Sequence, residues 1–150
     1  MSSFICICNP VRVWDYAGFF ATKREIGYWV FPKSTFREVS ENDSLYLRVT
    51  QADKLPGVYA KFSVTGKRTG VCPKEFWRPG AYPQDLQYLV DFEVREYFPT
   101  QRVTPDDMRM AGVSASSPLL RVPQAKAAII ESHDATILEN LIARRRQNNI

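Results

Sequence analysis

Trp14, Trp29 and Trp77, together with Phe31, Tyr59, Phe76 and Tyr82, are more aromatic residues than the core of a 150-residue chain would need. Flat π-faces can sandwich a flat base, and each stacking is worth roughly 1–3 kcal/mol. A base is reached in this way from a single strand or after it has been flipped out of a duplex. Lys33, Lys74 and Arg78 stand near these aromatics in the sequence, where they would hold the phosphates of the same polymer. An isolated Trp is most often core, but two that flank a sheet edge and a long loop shift the balance toward a ligand. In "GYWVF" (27–31), Tyr28 and Trp29 are adjacent and so point to opposite faces of a strand. One of them must therefore face away from the core.

Other chemistry has little to stand on. His133 is the only histidine and falls in the first turn of an expected helix, which all but removes nucleophilic triads and histidine metal sites. Asp106 and Asp107 suit a helix N-terminus, while Asp91 and Glu93 suit a solvated strand face, so neither pair reads as acid–base machinery. No GxGxxG or GxxxxGK[ST] pattern occurs, and "TGKRTG" (65–70) reads as a basic hairpin tip rather than a phosphate cradle. Cys6, Cys8 and Cys72, with one histidine, are too few for a four-ligand zinc site, and buried free thiols are expected. No metal, no cofactor and no turnover are expected.

Composition sets the frame around these residues. Hydrophobic content of 45%, charged content of 24% and a mean hydropathy of -0.29 are those of a soluble protein. The length suits one domain, burying roughly 70% of the surface its unfolded chain exposes. No apolar run is long enough to span a bilayer, and "MSSFICICNPVRV" is broken by Asn9-Pro10 too early for a signal peptide, so a cytoplasmic location and no membrane partner are expected. The net charge of +4 and pI near 9.0 are compatible with a polyanionic partner. Part of that charge lies in "ARRRQNNI", and residues 144–150 are expected to form a basic tail beyond a domain spanning 1–143.

The elements that must position the aromatics follow from periodicity. "FICIC" (4–8) is a short apolar strand, and 11–26 carries Val13, Tyr16, Ala17 and Phe20 at helical spacing. "GYWVF", "SLYLRVT" (44–50), "GVYAKFSVTG" (57–66) and "YLVDFEVREYF" (88–98) are four further strands, most of them alternating apolar and polar residues, of a mixed or antiparallel sheet. The stretch 67–87, with Phe76, Trp77 and Tyr82, is a long aromatic loop of the kind that carries function. Thr104, Pro105 and Asp107 spell a capped short helix. Residues 114–130 are irregular and end in a short strand, and a last helix starts at Ser132 with Leu138, Leu141 and Ile142 as its apolar stripe.

In this order the segments resemble the EVE domain of the PUA-like superfamily, relatives of the YTH readers of methylated adenine. The likeness rests on a first strand ending in Asn9-Pro10, a helical segment leading to "GYWVF", and "VSENDSLYLRV", where the family writes Gly-Asp before its strand. It continues through "LPGVYAKFSV", the aromatic loop before "YLVDFEV", "RVTPDDMR" and "AAIIESHDATILENLI", covering residues 4–143. Asn42 stands in place of that glycine and also tolerates a left-handed backbone. The resemblance implies an α+β fold, PUA-like, with a strongly curved or barrel-like sheet, peripheral helices and a pocket for a modified nucleobase. It places Trp29 at the pocket wall and Trp77 opposite, with Asn9 at the rim and Phe31 and Tyr59 as further nucleobase contacts by position. Trp29 would then face the pocket with Tyr28 packed behind it.

The function expected from these readings is a binding module for DNA or RNA carrying a modified, methylated base, with Lys33, Lys74 and Arg78 on the phosphates. Any effector would be a separate chain. The alternative is a protein-interaction or small-ligand accessory module on the same fold, motivated by the acidic stretch "FREVSENDS" and the modest net charge.

Overall fold

The alternating segments form six strands: β1 (Ser3–Cys8), β2 (Ile26–Phe31), β3 (Ser44–Val49), β4 (Gly57–Val71), β5 (Leu86–Tyr97) and β6 (Ala127–Ile130). They come from a computed structural model that describes residues 1–50, 55–71, 75–78, 86–121 and 125–148. The strand order is β2-β5-β4-β3-β1-β6. β1 and β3 run parallel, and every other neighbouring pair is antiparallel. Register shifts at Leu47/Arg48, Lys61/Phe62 and Val64/Gly66 add the local bends that a strongly curved sheet needs.

Curvature brings the two ends of the sheet together without closing them. The rings of Phe4 in β1 and Phe31 in β2 meet edge to face at 5.8 Å. Trp29 Nε1 in β2 donates to the Lys126 carbonyl at 2.9 Å, and the same oxygen accepts the Ile7 amide of β1 at 2.8 Å. Among the described residues no ladder joins β2 to β1 or β6, so the seam is filled by side chains. Inside the curve lie Phe4, Trp29, Phe31, Phe62, Phe92 and their neighbours, with Phe62 and Phe92 stacked at 4.0 Å. Gly27 opposes Phe92 and is needed bare, because a Cβ there would stand 2.6 Å from that ring. Outside the curve, Ile5, Ile7 and Tyr46 pack under α3 (Pro105–Met110) and α4 (Ser132–Asn148). No helix among the described residues is long and apolar enough to cross a membrane.

Two sequence expectations change here. "TGKRTG" is not a hairpin tip: β4 continues through it to Val71, with Lys67 opposite Val90 and Gly70 opposite Gln87. β-Branched Thr65, Thr69 and Val71 favour the extended state, and the long partner β5 supplies the pairing. The helix expected over 11–26 shrinks to α1 (Tyr16–Ala21), because Asn9 folds the residues before it into a turn and Asp15 caps the helix by accepting from the Gly18 amide. A four-residue helix, α2 (Lys33–Phe36), follows Pro32. α4 also runs on through 144–148, so the basic segment is continuous with the helix.

Two local expectations hold. Asn42 adopts φ +74°, the left-handed backbone that a glycine would otherwise provide, and the buried Asp43 beside it accepts from the Ser2 and Ser40 amides. The capping box at α3 is complete: Thr104 accepts from the Asp107 amide, and the Asp107 carboxylate accepts from the Thr104 amide. Partial burial pushes the Asp107 carboxyl up, but the Thr104 bonds and Arg145 outweigh it and hold the group below its ordinary value. A carboxylate with a depressed folded-state pKa stabilises the protein above its unfolded value and loses that contribution as pH falls through the folded one. Asp107→Asn is expected to cost about 1 kcal/mol at neutral pH, with the gap to the parent closing below about pH 4. Thermal melts of both proteins across that range are the check, and a gap that persists in acid would remove the carboxylate from the account.

Candidate nucleic-acid interface

Trp29 lies on the inner face of β2, opposite Val90 of β5, and is 0% exposed. Its ring meets Trp14 at 5.0 Å and 89°, and Trp77 at 5.2 Å and 42°. A heterocycle sandwiched between two rings needs about 7 Å between their planes. At 5.2 Å the Trp29 and Trp77 rings touch, so the open slot expected between them is closed in this structure. The physical reason is burial: the large indole gains most from the dry interior, and the Lys126 carbonyl satisfies its one polar group there. Opposite faces for Tyr28 and Trp29 are observed, but the roles are exchanged. Trp29 packs inward, and half-buried Tyr28 projects to the other side of β2, where it packs beside Trp77 at the margin of the inner core.

Trp77 links those two faces. Its ring lies 6.4 Å from Tyr28, and its Nε1 donates to the Tyr28 hydroxyl at 2.9 Å. It is presented by a short clip, residues 75–78, that forms an antiparallel bridge with the turn after β1 through Trp14. The Asp15 amide donates to the Phe76 carbonyl at 2.7 Å, and the Arg78 amide donates to the Val13 carbonyl at 2.8 Å. Phe76 sits at φ +63°, a left-handed conformation that costs a bulky residue roughly 1–2 kcal/mol. The packing of its ring edge-on against Phe19 at 5.7 Å helps to hold it there.

Arginines surround the clip. Arg24 pairs with Glu75 and lies 5.4 Å from the centre of the Phe76 ring. The Arg24 hydrogen bond and positive charge draw the Glu75 carboxyl below its ordinary range. Arg68 contacts Asp91 at 3.1 Å and lies 5.9 Å from the Tyr28 ring centre. Arg78 donates through Nε to the Pro10 carbonyl at 2.8 Å, and its Nη2 stands 3.6 Å from Asp15.

The other expected residues are distributed as follows. Asn9 belongs to the same turn, but its Oδ1 accepts the Val11 and Arg12 amides, so that oxygen shapes the loop. Phe31 is buried against Phe4, and Tyr59 is buried edge-on to Tyr16 with its hydroxyl donating to the Leu55 carbonyl. Lys33 is exposed at the start of α2, and Lys74 lies outside the described residues. The structure thus brings together Trp29, Trp77, Arg78 and the Asn9 turn, and ties Phe31 and Tyr59 to other partners. Sequence reasoning left out Tyr28, Arg24 and Arg68 as site residues. The adjacency of Tyr28 to Trp29 was the signal for the first, and nothing in the spacing marks Arg24 or Arg68 as neighbours of the aromatic loop. Cys6 and Cys8 are buried free thiols as expected, with burial pushing the Cys6 thiol well up and Cys8 donating to the Trp14 carbonyl, while Cys72 lies outside the described residues.

No protein-family model and no curated protein sequence matches the chain. Solved structures do match over nearly its whole length. A crystal structure of a Pseudomonas putida protein is similar with a TM-score of 0.65 at 12% identity, covering 93% of this chain and 98% of that one. A Rhodopseudomonas palustris protein solved by NMR gives 0.61 at 10% identity, covering 94% and 92%. ASCH from Zymomonas mobilis gives 0.55 at 11% identity, covering 93% and 94%. What is shared at these identities is the fold: an α+β, PUA-like domain built on a curved, unclosed mixed sheet, of the kind that ASCH adopts.

Proposed function

We propose that this chain is a non-catalytic nucleic-acid-binding module that takes a modified base at the Trp29–Trp77 pair, in the manner of the EVE domain it resembles. The observation that carries the reading is the position of Trp77. It contacts an aromatic ring on each face of the edge strand β2, while Arg24 lies by the adjacent Phe76 ring, Arg68 by the Tyr28 ring, and Arg78 follows it in the clip. Edge strand, aromatic rings and guanidinium groups are what a splayed-out base and its flanking phosphates require. A base enters by parting the two indoles, and the methyl group of a modified base adds apolar contact to the stack. Either DNA or RNA fits this chemistry, and the exposed Lys33 extends the basic margin. Action on the bound polymer would fall to a separate effector chain in the cytoplasm.

Tryptophan fluorescence tests the reading. Single-stranded oligonucleotides carrying methylcytosine, hydroxymethylcytosine or methyladenine are titrated against unmodified controls. At least one modified strand is expected to quench more strongly and at lower concentration than its control. Trp77→Ala is expected to cost about 1–3 kcal/mol of that affinity. Contacts to about three phosphates give a salt slope near -2 on logarithmic axes. Equal and negligible quenching by the whole panel would end the proposal. A second reading, a protein-interaction module, draws on one observation: each of the three arginines already faces a carboxylate, Glu75, Asp91 or Asp15. Binding of a protein partner with little salt dependence, beside no oligonucleotide binding, would favour it.

A further inference from the structure

The contact between Trp29 and Trp77 raises a question that the binding proposal leaves open: what parts the rings? We propose that the Glu75–Arg78 clip is a gate over Trp29, held shut by two arginine–carboxylate latches that the phosphates of a single strand release. The inference rests on the nucleic-acid reading above and specifies how that same site is controlled.

The latches flank the strained residue. Ahead of Phe76, Glu75 pairs with Arg24; beyond it, Arg78 faces Asp15 at 3.6 Å. Both partners come from the segment around α1, and the two pairs have opposite polarity: the clip contributes the carboxylate in one and the guanidinium in the other. All four side chains are between 35% and 51% exposed, so water and salt screen both pairs. Exposed ion pairs of this kind are weak, and a phosphate, which accepts bidentate bonds from a guanidinium, competes well for the arginine. A strand laid across this margin therefore attracts Arg24 and Arg78 while repelling Glu75 and Asp15. Both effects weaken the two ion pairs that hold the clip.

Beyond the latches, the clip is held by the Asp15 and Arg78 amide bonds, by Arg78 Nε on the Pro10 carbonyl, by the Trp77 indole on the Tyr28 hydroxyl, and by burial of Trp77, 7% exposed, against Trp29. Opening must offset that burial with the stacking of a base in its place. Phe76 in its left-handed conformation stores strain that opening relieves. When Trp77 swings off, the ring face of Trp29 that it covers is uncovered, while Trp29 itself stays anchored by the Lys126 carbonyl and by Trp14. The arrangement excludes water from the seat until a strand arrives, and it favours a single strand because only unpaired bases can follow the phosphates in.

Amide hydrogen exchange on the free, full-length chain tests the gate without any ligand. The Asp15 and Arg78 amides are expected to exchange at least about 100-fold faster than the amides of the Trp29–Val90 ladder, by local opening. Glu75→Gln removes one latch and should speed those two amides a further two- to fivefold or so, leaving the ladder unchanged. A bound unmodified single strand should speed them again, whereas an uncharged peptide nucleic acid of the same sequence should not. Clip amides that exchange together with the ladder would overturn the gate, as would a bound strand that leaves their rates unaltered. The two ideas fail separately. Slow clip exchange with firm oligonucleotide binding sinks the gate and spares the function, while fast clip exchange with no oligonucleotide binding sinks phosphate release and the nucleic-acid reading together.

Discussion

Trp29→Ala is expected to destabilise the protein by about 3–5 kcal/mol, a large share of the 5–15 kcal/mol typical of a domain. The indole is fully buried, touches Trp14 and Trp77, and ties β2 to the other end of the sheet through the Lys126 carbonyl. Removing it opens a cavity at the seam, where no strand pairing compensates, because β2 has no ladder to β1 or β6 among the described residues. The midpoint of thermal unfolding should fall by roughly 6–20 °C. Trp29→Phe keeps most of the volume and loses the N–H, so a cost of about 1–2 kcal/mol is expected. A Trp29→Ala protein that melts with the parent would show that the residue is a replaceable ligand wall. The consequence for the function is practical: loss of binding in Trp29→Ala reports on folding, and Trp77→Ala, whose indole is 7% exposed, reports on recognition where its melting point shows that the domain is still folded.

The strands and their inner and outer faces were legible because period-two alternation is local. Ala60, Phe62 and Val64 announce their own face, and the pairs Ser44–Ser63 and Trp29–Val90 then follow from hydrogen-bond register, whereas the register shift opposite Leu47/Arg48 sends Val58 to the outer core and Tyr59 to the inner one. The capping box at Thr104 and the left-handed Asn42 were legible for the same reason, since each is decided by a few neighbouring residues. The seam was not. Whether Trp29 finds a slot or a sealed interior depends on how far the sheet curls, and that is set by bulges distributed over β3, β4 and β5. Burial of the indole needs the Lys126 carbonyl, 97 residues away, and no spacing rule links the two. Arg68 was misjudged through the same kind of contact. As part of "TGKRTG" it belongs to a turn motif, but pairing with β5 extends the strand and sets its guanidinium near Tyr28. The aromatic and basic composition of the site could be read from the sequence, while its closed state is a property of the tertiary fold.

Arg48→Met is the second change with a large expected effect, and its cause is again a tertiary contact. Arg48 points from the outer face of β3 into the irregular segment before β6 and is 7% exposed. Its guanidinium donates to the Pro118 carbonyl at 2.9 Å, to the Leu120 carbonyl at 3.2 Å and to the Arg121 carbonyl. Burial pulls its pKa down, and the like charge of Arg109 adds to this, yet an arginine remains charged at every pH at which the protein folds. Three backbone oxygens thus share one cation, and they hold the 117–121 turn, whose Leu119 is fully buried in the outer core. Methionine fills part of the space but donates nothing, leaving those carbonyls without the guanidinium in a site largely shielded from water. A loss of about 3–5 kcal/mol is expected from the charge-assisted bonds alone. Arg48→Lys should recover less than half of it, because an ammonium cannot spread its donors over three acceptors as the planar fork does. Limited proteolysis gives the local signature: in Arg48→Met the 114–121 segment should become the first site of cleavage, while the Trp29–Trp77 region keeps its fluorescence. A melting point within a few degrees of the parent, with cleavage unchanged, would mean that Leu119 and its apolar neighbours hold the segment without the cation.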